Sequence, residues 1–134
     1  MSLITIKHQK DFCVTATVRN HTLILDAPPE LGGMDVGPTP VELLAMAVGT
    51  CMAMHIVKFC KASRLPHEGL ALSVDFQLAK NPPRVASMTV GIESPPGFPE
   101  DHIPALKRAA EQCVVKNTLS QDTSVDVEVL AAVP

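Results

Sequence analysis

The segment TPVELLAMAVGTCMAMHIVKFCKAS, residues 39–63, decides the fold. Its first four residues predict a helix start. Thr39 serves as N-cap, Pro40 takes the first helical position, where its missing N–H costs nothing, and Glu42 at N3 completes a capping box. A helix should run from there to about Ser63. Leu43, Leu44, Met46, Val48, Met52, Met54 and Ile56 surround its axis, so a central helix buried on every side is expected. The apolar run Leu43 to Met54, broken by Thr50, falls short of the roughly 20 residues that span a bilayer. The expectation is therefore a core helix and no membrane association, with Cys51 at its middle.

Upstream, three short runs have β character: Leu3–Lys7, Phe12–Val18 with Phe12, Val14, Ala16 and Val18 on one face, and His21–Leu25. They predict an N-terminal antiparallel set. The stretch DAPPELGGMDVGP, residues 26–38, breaks regular structure and reads as a long loop. Downstream, Leu70–Leu78 alternates cleanly, and Asn81-Pro82-Pro83 turns the chain into Arg84–Glu93, with Ala86, Met88, Val90 and Ile92 inward. After the breaker SPPGFP, residues 94–99, an acidic start at Glu100 and Asp101 predicts a helix to about Asn117. Ile103, Leu106, Ala110, Cys113 and Val114 form its apolar stripe. Thr123–Val129 closes the chain as an expected strand through Val125, Val127 and Val129. The order βββ-α-ββ-α-β groups strands instead of alternating them with helices, which predicts an α+β fold with antiparallel sheets in a single domain, 1–134.

At 134 residues, 46% apolar and 19% charged, the chain has the composition of a globular domain and not of a disordered one. A net charge of −3 without a Lys/Arg cluster gives no footprint for nucleic acid. The start MSLITIKHQK has no apolar signal stretch, and the four cysteines, Cys13, Cys51, Cys60 and Cys113, lack CxxC spacing. A reducing, cytoplasmic setting is expected, without a zinc-ribbon or thioredoxin motif.

Cys51 and Cys113 each lie on an apolar helix face and meet if the two helices pack side by side. Burial alone makes a thiol inert, so a reactive Cys51 needs a cation or a hydrogen-bond donor beside it. Arg19, Arg64, Arg84 and Arg108 are the candidate cations. His55, four residues beyond Cys51, shares its helix face and permits a thiolate–imidazole pair. A Cys51/His55/Cys113 metal site lacks a fourth ligand, and no metal or cofactor is expected. The plain alternative for any of these cysteines is a small buried hydrophobe, the default for Cys13 and Cys60.

The block LILDAPPELGGMDVGPTPVELLAMAVGTC, residues 23–51, together with AAEQCVVKNTL, residues 109–119, resembles the OsmC/Ohr family of osmotically induced and organic hydroperoxide resistance proteins. The resemblance implies an intertwined α+β homodimer with two central helices per subunit. It also implies reduction of organic hydroperoxides, with Cys51 as peroxidatic and Cys113 as resolving cysteine and an external dithiol as reductant. Family peroxidases carry a glutamate directly after the helix-initiating proline, where it holds a catalytic arginine. Here Val41 takes that place and Glu42 follows, about 100° further round the helix. Arg19 is the candidate arginine by position and Glu42 the candidate glutamate of that site, and Val114 stands where a proline often follows the second cysteine. The PxELL form is closer to the OsmC-like branch. A second reading is thus a non-catalytic module that holds a small apolar ligand in the dimer cleft.

Overall fold

The computed structural model describes residues 3–130. The elements are β1 (Ile4–Lys10), β2 (Cys13–Val18), β3 (His21–Leu25), α1 (Pro40–Ala62), β4 (Ala71–Ala79), β5 (Arg84–Glu93), α2 (Ile103–Glu111) and α3 (Val114–Ser120), with short 3-10 turns at Pro29–Leu31 and Glu100–His102. This is a mixed α+β architecture with two antiparallel sheets, β1-β2-β3 and β4-β5. The chain divides into two compact units. One comprises residues 1–49 and 72–91, the other residues 50–71 and 92–134, and α1 runs from the first into the second.

The capping box forms as the sequence expects: the Thr39 N–H donates to Glu42 Oε1 at 2.9 Å, and the Glu42 N–H donates to Thr39 Oγ1 at 3.1 Å. Two otherwise orphaned donors are thereby satisfied at the start of α1. The helix ends in a Schellman motif. Arg64 adopts the left-handed conformation at φ 56°, the Leu65 N–H bonds the Cys60 carbonyl, and the Arg64 N–H bonds that of Lys61.

Burial along α1 departs from expectation. Ala45, Val48, Met52, Ile56 and Cys60 are buried, a 3- and 4-spaced stripe, whereas Met46 and Met54 are exposed. Between residues 41 and 60 the exposed positions are Glu42, Met46, Thr50, Met54 and Lys58, one stripe along the helix, and the rest are buried or half-buried. At 23 residues, with an 18-residue window of mean hydropathy 1.7, the helix also has the length and composition of a bilayer-crossing segment, which the shorter apolar run does not suggest. The buried stripe is the mark of a core helix, a type that passes the same length and composition test.

In the first unit, β2 pairs with both neighbours, Val14 lying opposite His8 and Leu25. Strand β1 is exposed throughout. Phe12 does not join the face of Val14. It sits in the β1–β2 turn with its ring over Gly32, where a Cβ would lie 2.8 Å from the ring. The long loop is organised by Asp26, buried and unremarked in the sequence, whose carboxylate accepts from the N–H groups of Ala27, Met34 and Val36. On β5, Val85 is half-buried and Ala86 exposed, the reverse of the strict alternation expected. Gly49 gives close approach between α1 and β4: a Cβ there would meet Val74 Cγ2 at 2.8 Å.

Two further expectations need correction in the second unit. The single helix to Asn117 is broken at Gln112-Cys113, and the expected strand Thr123–Val129 is an exposed segment without ladder hydrogen bonds. Alternating valines specify a strand only where another strand is present to pair with it.

Candidate functional site

The break after α2 creates the site. Cys113 has an extended backbone, φ −68° and ψ 121°, and acts as N-cap of α3, its Sγ accepting from the Lys116 N–H at 3.3 Å. It therefore does not lie within a continuous helical stripe. Cys113 is fully buried, and Cys51, at mid-α1, is half-buried.

The structure brings these two thiols into hydrogen-bonding contact. The Val115 N–H donates to Cys51 Sγ, the Cys113 thiol donates to the same sulfur, and the Val114 N–H adds a third bond. Together they outweigh desolvation and hold Cys51 below the ordinary thiol range. Cys113 is displaced the other way, chiefly by burial and also by the neighbouring Cys51. The pair is thus polarised: one sulfur is stabilised as thiolate, the other held as the protonated donor. The depression comes from hydrogen bonds at the start of a helix, where backbone N–H groups converge on negative charge.

Three of the four candidate arginines have local engagements. Arg19, exposed in the β2–β3 turn at φ 53°, contacts His21 Nε2 at 3.3 Å. Arg64 forms the α1 C-terminus, and Arg84 bonds the carbonyls of Lys80 and Pro82. Arg108 lines a cleft of about 310 Å³ with His55, Lys58, Phe59 and Gln112. Glu42 is engaged in the helix cap. Among the described residues no group of three His, Cys, Asp or Glu side chains could hold a metal ion, so His55 does not complete one with the two thiols. Cys60 is fully buried and its thiol is pushed up by desolvation; Cys13 is buried at the start of β2. In the first unit, Val41 lines a second, mainly apolar cleft of about 670 Å³ with Leu78, Pro83 and Val85.

Sequence reasoning named the two cysteines but missed what acts on Cys51. Two of the three donors, the Val115 and Val114 N–H groups, are main-chain, and residue type gives no direct signal for them.

An α+β domain carrying a polarised cysteine pair at a helix start is the class that fold and site define. The OsmC-like protein family model matches residues 32–128, and the chain belongs to that family. Solved structures agree in fold. A protein described as an osmotic stress induced and detoxification response protein from Psychrobacter arcticus is 22% identical, with a TM-score of 0.81 over 88% of each chain. An OsmC-like protein from Mycoplasma pneumoniae is 20% identical, with a TM-score of 0.78 over 90% of this chain and 87% of its own. An organic hydroperoxide resistance protein from Legionella pneumophila is 21% identical, with a TM-score of 0.65 over 89% and 88%. A comparison with curated protein sequences finds no match.

Proposed function

We propose that the protein reduces organic hydroperoxides through Cys51 and Cys113. The observation that carries this reading is the polarised pair, with Cys51 held toward thiolate by Val115, Cys113 and Val114 while Cys113 stays protonated. The Cys51 thiolate attacks the terminal oxygen of ROOH, an S–O bond forms, the O–O bond breaks, and the alkoxide leaves as ROH after taking a proton. Cys51 is then a sulfenic acid. Cys113 attacks its sulfur, the disulfide forms and water departs. An external dithiol restores both thiols by exchange, becoming the disulfide itself. No cofactor enters this cycle, and a reducing, cytoplasmic setting suits it.

The assembly proposed is an intertwined homodimer in which each chain is one OsmC-like domain, 1–134. Support lies in the apolar surface a single chain leaves open: Ile4 and Ile6 on β1, Met46 and Met54 on α1, and Val125, Val127 and Val129, whose alternation suits a strand paired with a partner. Arg19, exposed and in contact with His21, is the candidate activating cation; Glu42 serves the helix cap.

Purified protein should consume cumene hydroperoxide in the presence of a dithiol, and Cys51→Ser should abolish turnover. Full turnover in that variant refutes the assignment. The second reading, a binding module for a small apolar ligand, is favoured by one observation: Val41, where family peroxidases place a glutamate, lines the mainly apolar cleft of the first unit. Native mass spectrometry of freshly isolated protein distinguishes the two. A co-purifying apolar molecule together with intact thiols after one equivalent of peroxide supports binding over catalysis.

A further inference from the structure

The 310 Å³ cleft of the second unit is lined by His55, one helical turn beyond Cys51, and by Gln112, which precedes Cys113. On α1, Cys51, His55 and Lys58 follow at steps of four and three residues, one helix face. Residues 51 to 59 of α1 meet residues 115 back to 105 of the facing segment: Cys51 bonds to Val115 and Val114, and His55, Lys58 and Phe59 share the cleft with Gln112 and Arg108. The numbering rises on one side and falls on the other, so the two segments run antiparallel, and the cleft lies on the α1 face that carries Cys51, toward the C-terminal end of the helix. At 1.5 Å per residue, Lys58 is about 10 Å along the axis from Cys51.

The charge on that cleft is one-sided. Lys58 and Arg108 are cationic, His55 stands with them, and no Asp or Glu lines the cleft. None of the three makes a side-chain hydrogen bond or ion pair among the described residues, in a chain whose formal net charge is −3. Phe59 and two alanines supply an apolar wall, and Gln112 adds a neutral donor. A concave site with cations of one sign and a mixed wall concentrates small anions. The guanidinium of Arg108 matches the two oxygens of a carboxylate or a phosphate, and Lys58 adds a point charge.

We propose that this cleft is an anion subsite, seating the carboxylate or phosphate head of a small molecule whose apolar body extends along that face of α1 toward Cys51. That the body then meets a reactive sulfur rests on the peroxidase reading; anion binding does not. The peroxide or thiol that Cys51 handles would accordingly be an acidic one, about 10 Å from head group to reacting atom.

Calorimetric titration of the reduced full chain with octanoate tests the subsite, with octanol as uncharged analogue and inorganic phosphate as competitor. Octanoate should bind at least about tenfold tighter than octanol, the ratio that charge-assisted hydrogen bonds produce. Lys58→Gln and Arg108→Gln should each weaken octanoate several-fold while octanol affinity holds and the amide NMR spectrum stays native. Displacement by phosphate identifies the bare anion as the recognised group; failure to displace assigns the site to carboxylates with an apolar tail. Equal affinity for octanoate and octanol overturns the proposal, as does wild-type octanoate affinity in both charge variants. Saturating octanoate should also slow alkylation of Cys51 by iodoacetamide, and an unchanged rate breaks the link to the thiol. These readouts need no turnover, so an inactive protein that binds octanoate refutes the peroxidase reading alone, and an active one that ignores it refutes the subsite alone.

Discussion

Replacing Cys113 by alanine separates the two tasks of its sulfur. In the native chain that sulfur donates to Cys51 and accepts from the Lys116 N–H at 3.3 Å while fully buried. Cys113→Ala leaves the Val115 and Val114 donors in place and removes one hydrogen bond from the Cys51 thiolate. One such bond is worth about 1 kcal/mol net, so the thiolate fraction below the pKa should fall roughly fivefold. The assay is the pH dependence of iodoacetamide alkylation at Cys51, followed by peptide mass spectrometry. The sign is fixed: the native fold holds the Cys51 pKa low, so the rate deficit should be largest on the acid side of that pKa. It should vanish at alkaline pH, where both proteins are fully ionised. Loss of the N-cap should also cost about 1 kcal/mol of stability, measured by urea denaturation. Cys113→Ser is the control, because a hydroxyl donates to the thiolate and accepts from Lys116 yet cannot form a disulfide. It should keep the alkylation profile while trapping the Cys51 sulfenic acid after peroxide. Alkylation as fast in Cys113→Ala as in the wild type across the acid range refutes the claim that this contact activates Cys51.

Three further outcomes follow from the same geometry. Val114→Pro should fold, because Pro is at home at the first position of α3 and Cys113 already has the extended backbone a following proline requires; by deleting the Val114 N–H it should slow Cys51 alkylation near neutral pH. Asp26 is held below its ordinary value of 3.8, first by the Ala27 N–H and then by those of Val36 and Met34. Its contribution to stability is complete above that value and is lost as pH falls through the lower folded one, so thermal melts of Asp26→Asn should show a shallower acid decline than the wild type. Gly49→Ala sets a helix-propensity gain of about 1 kcal/mol against a Cβ 2.8 Å from Val74 Cγ2; overpacking of about 1–3 kcal/mol should prevail, and urea denaturation should show net destabilisation. Gly49→Ala combined with Val74→Ala should recover much of the loss.

What the sequence determines by itself is local. The TPVE start of α1 is legible because both halves of the capping box are side chains three residues apart, and both bonds form. The N-terminal strands and the β4–β5 pair follow from period-two alternation, and the two cysteines were legible as a pair through the family resemblance. Other features depend on groups remote in the chain or invisible as residue types. The apolar periodicity of 103–114 continues through Cys113, yet the backbone turns extended there, and only that break aims the Val114 and Val115 N–H groups at a sulfur more than sixty residues earlier. Asp26 looks like any loop acid until three amides converge on it. The valines of 123–129 carry a strand pattern, but a strand needs a neighbour, and among the described residues none pairs with them. Side-chain periodicity encodes which face is apolar; tertiary structure decides what covers that face and which main-chain donors reach Cys51, because backbone groups are the same in every residue and only the fold gives them direction.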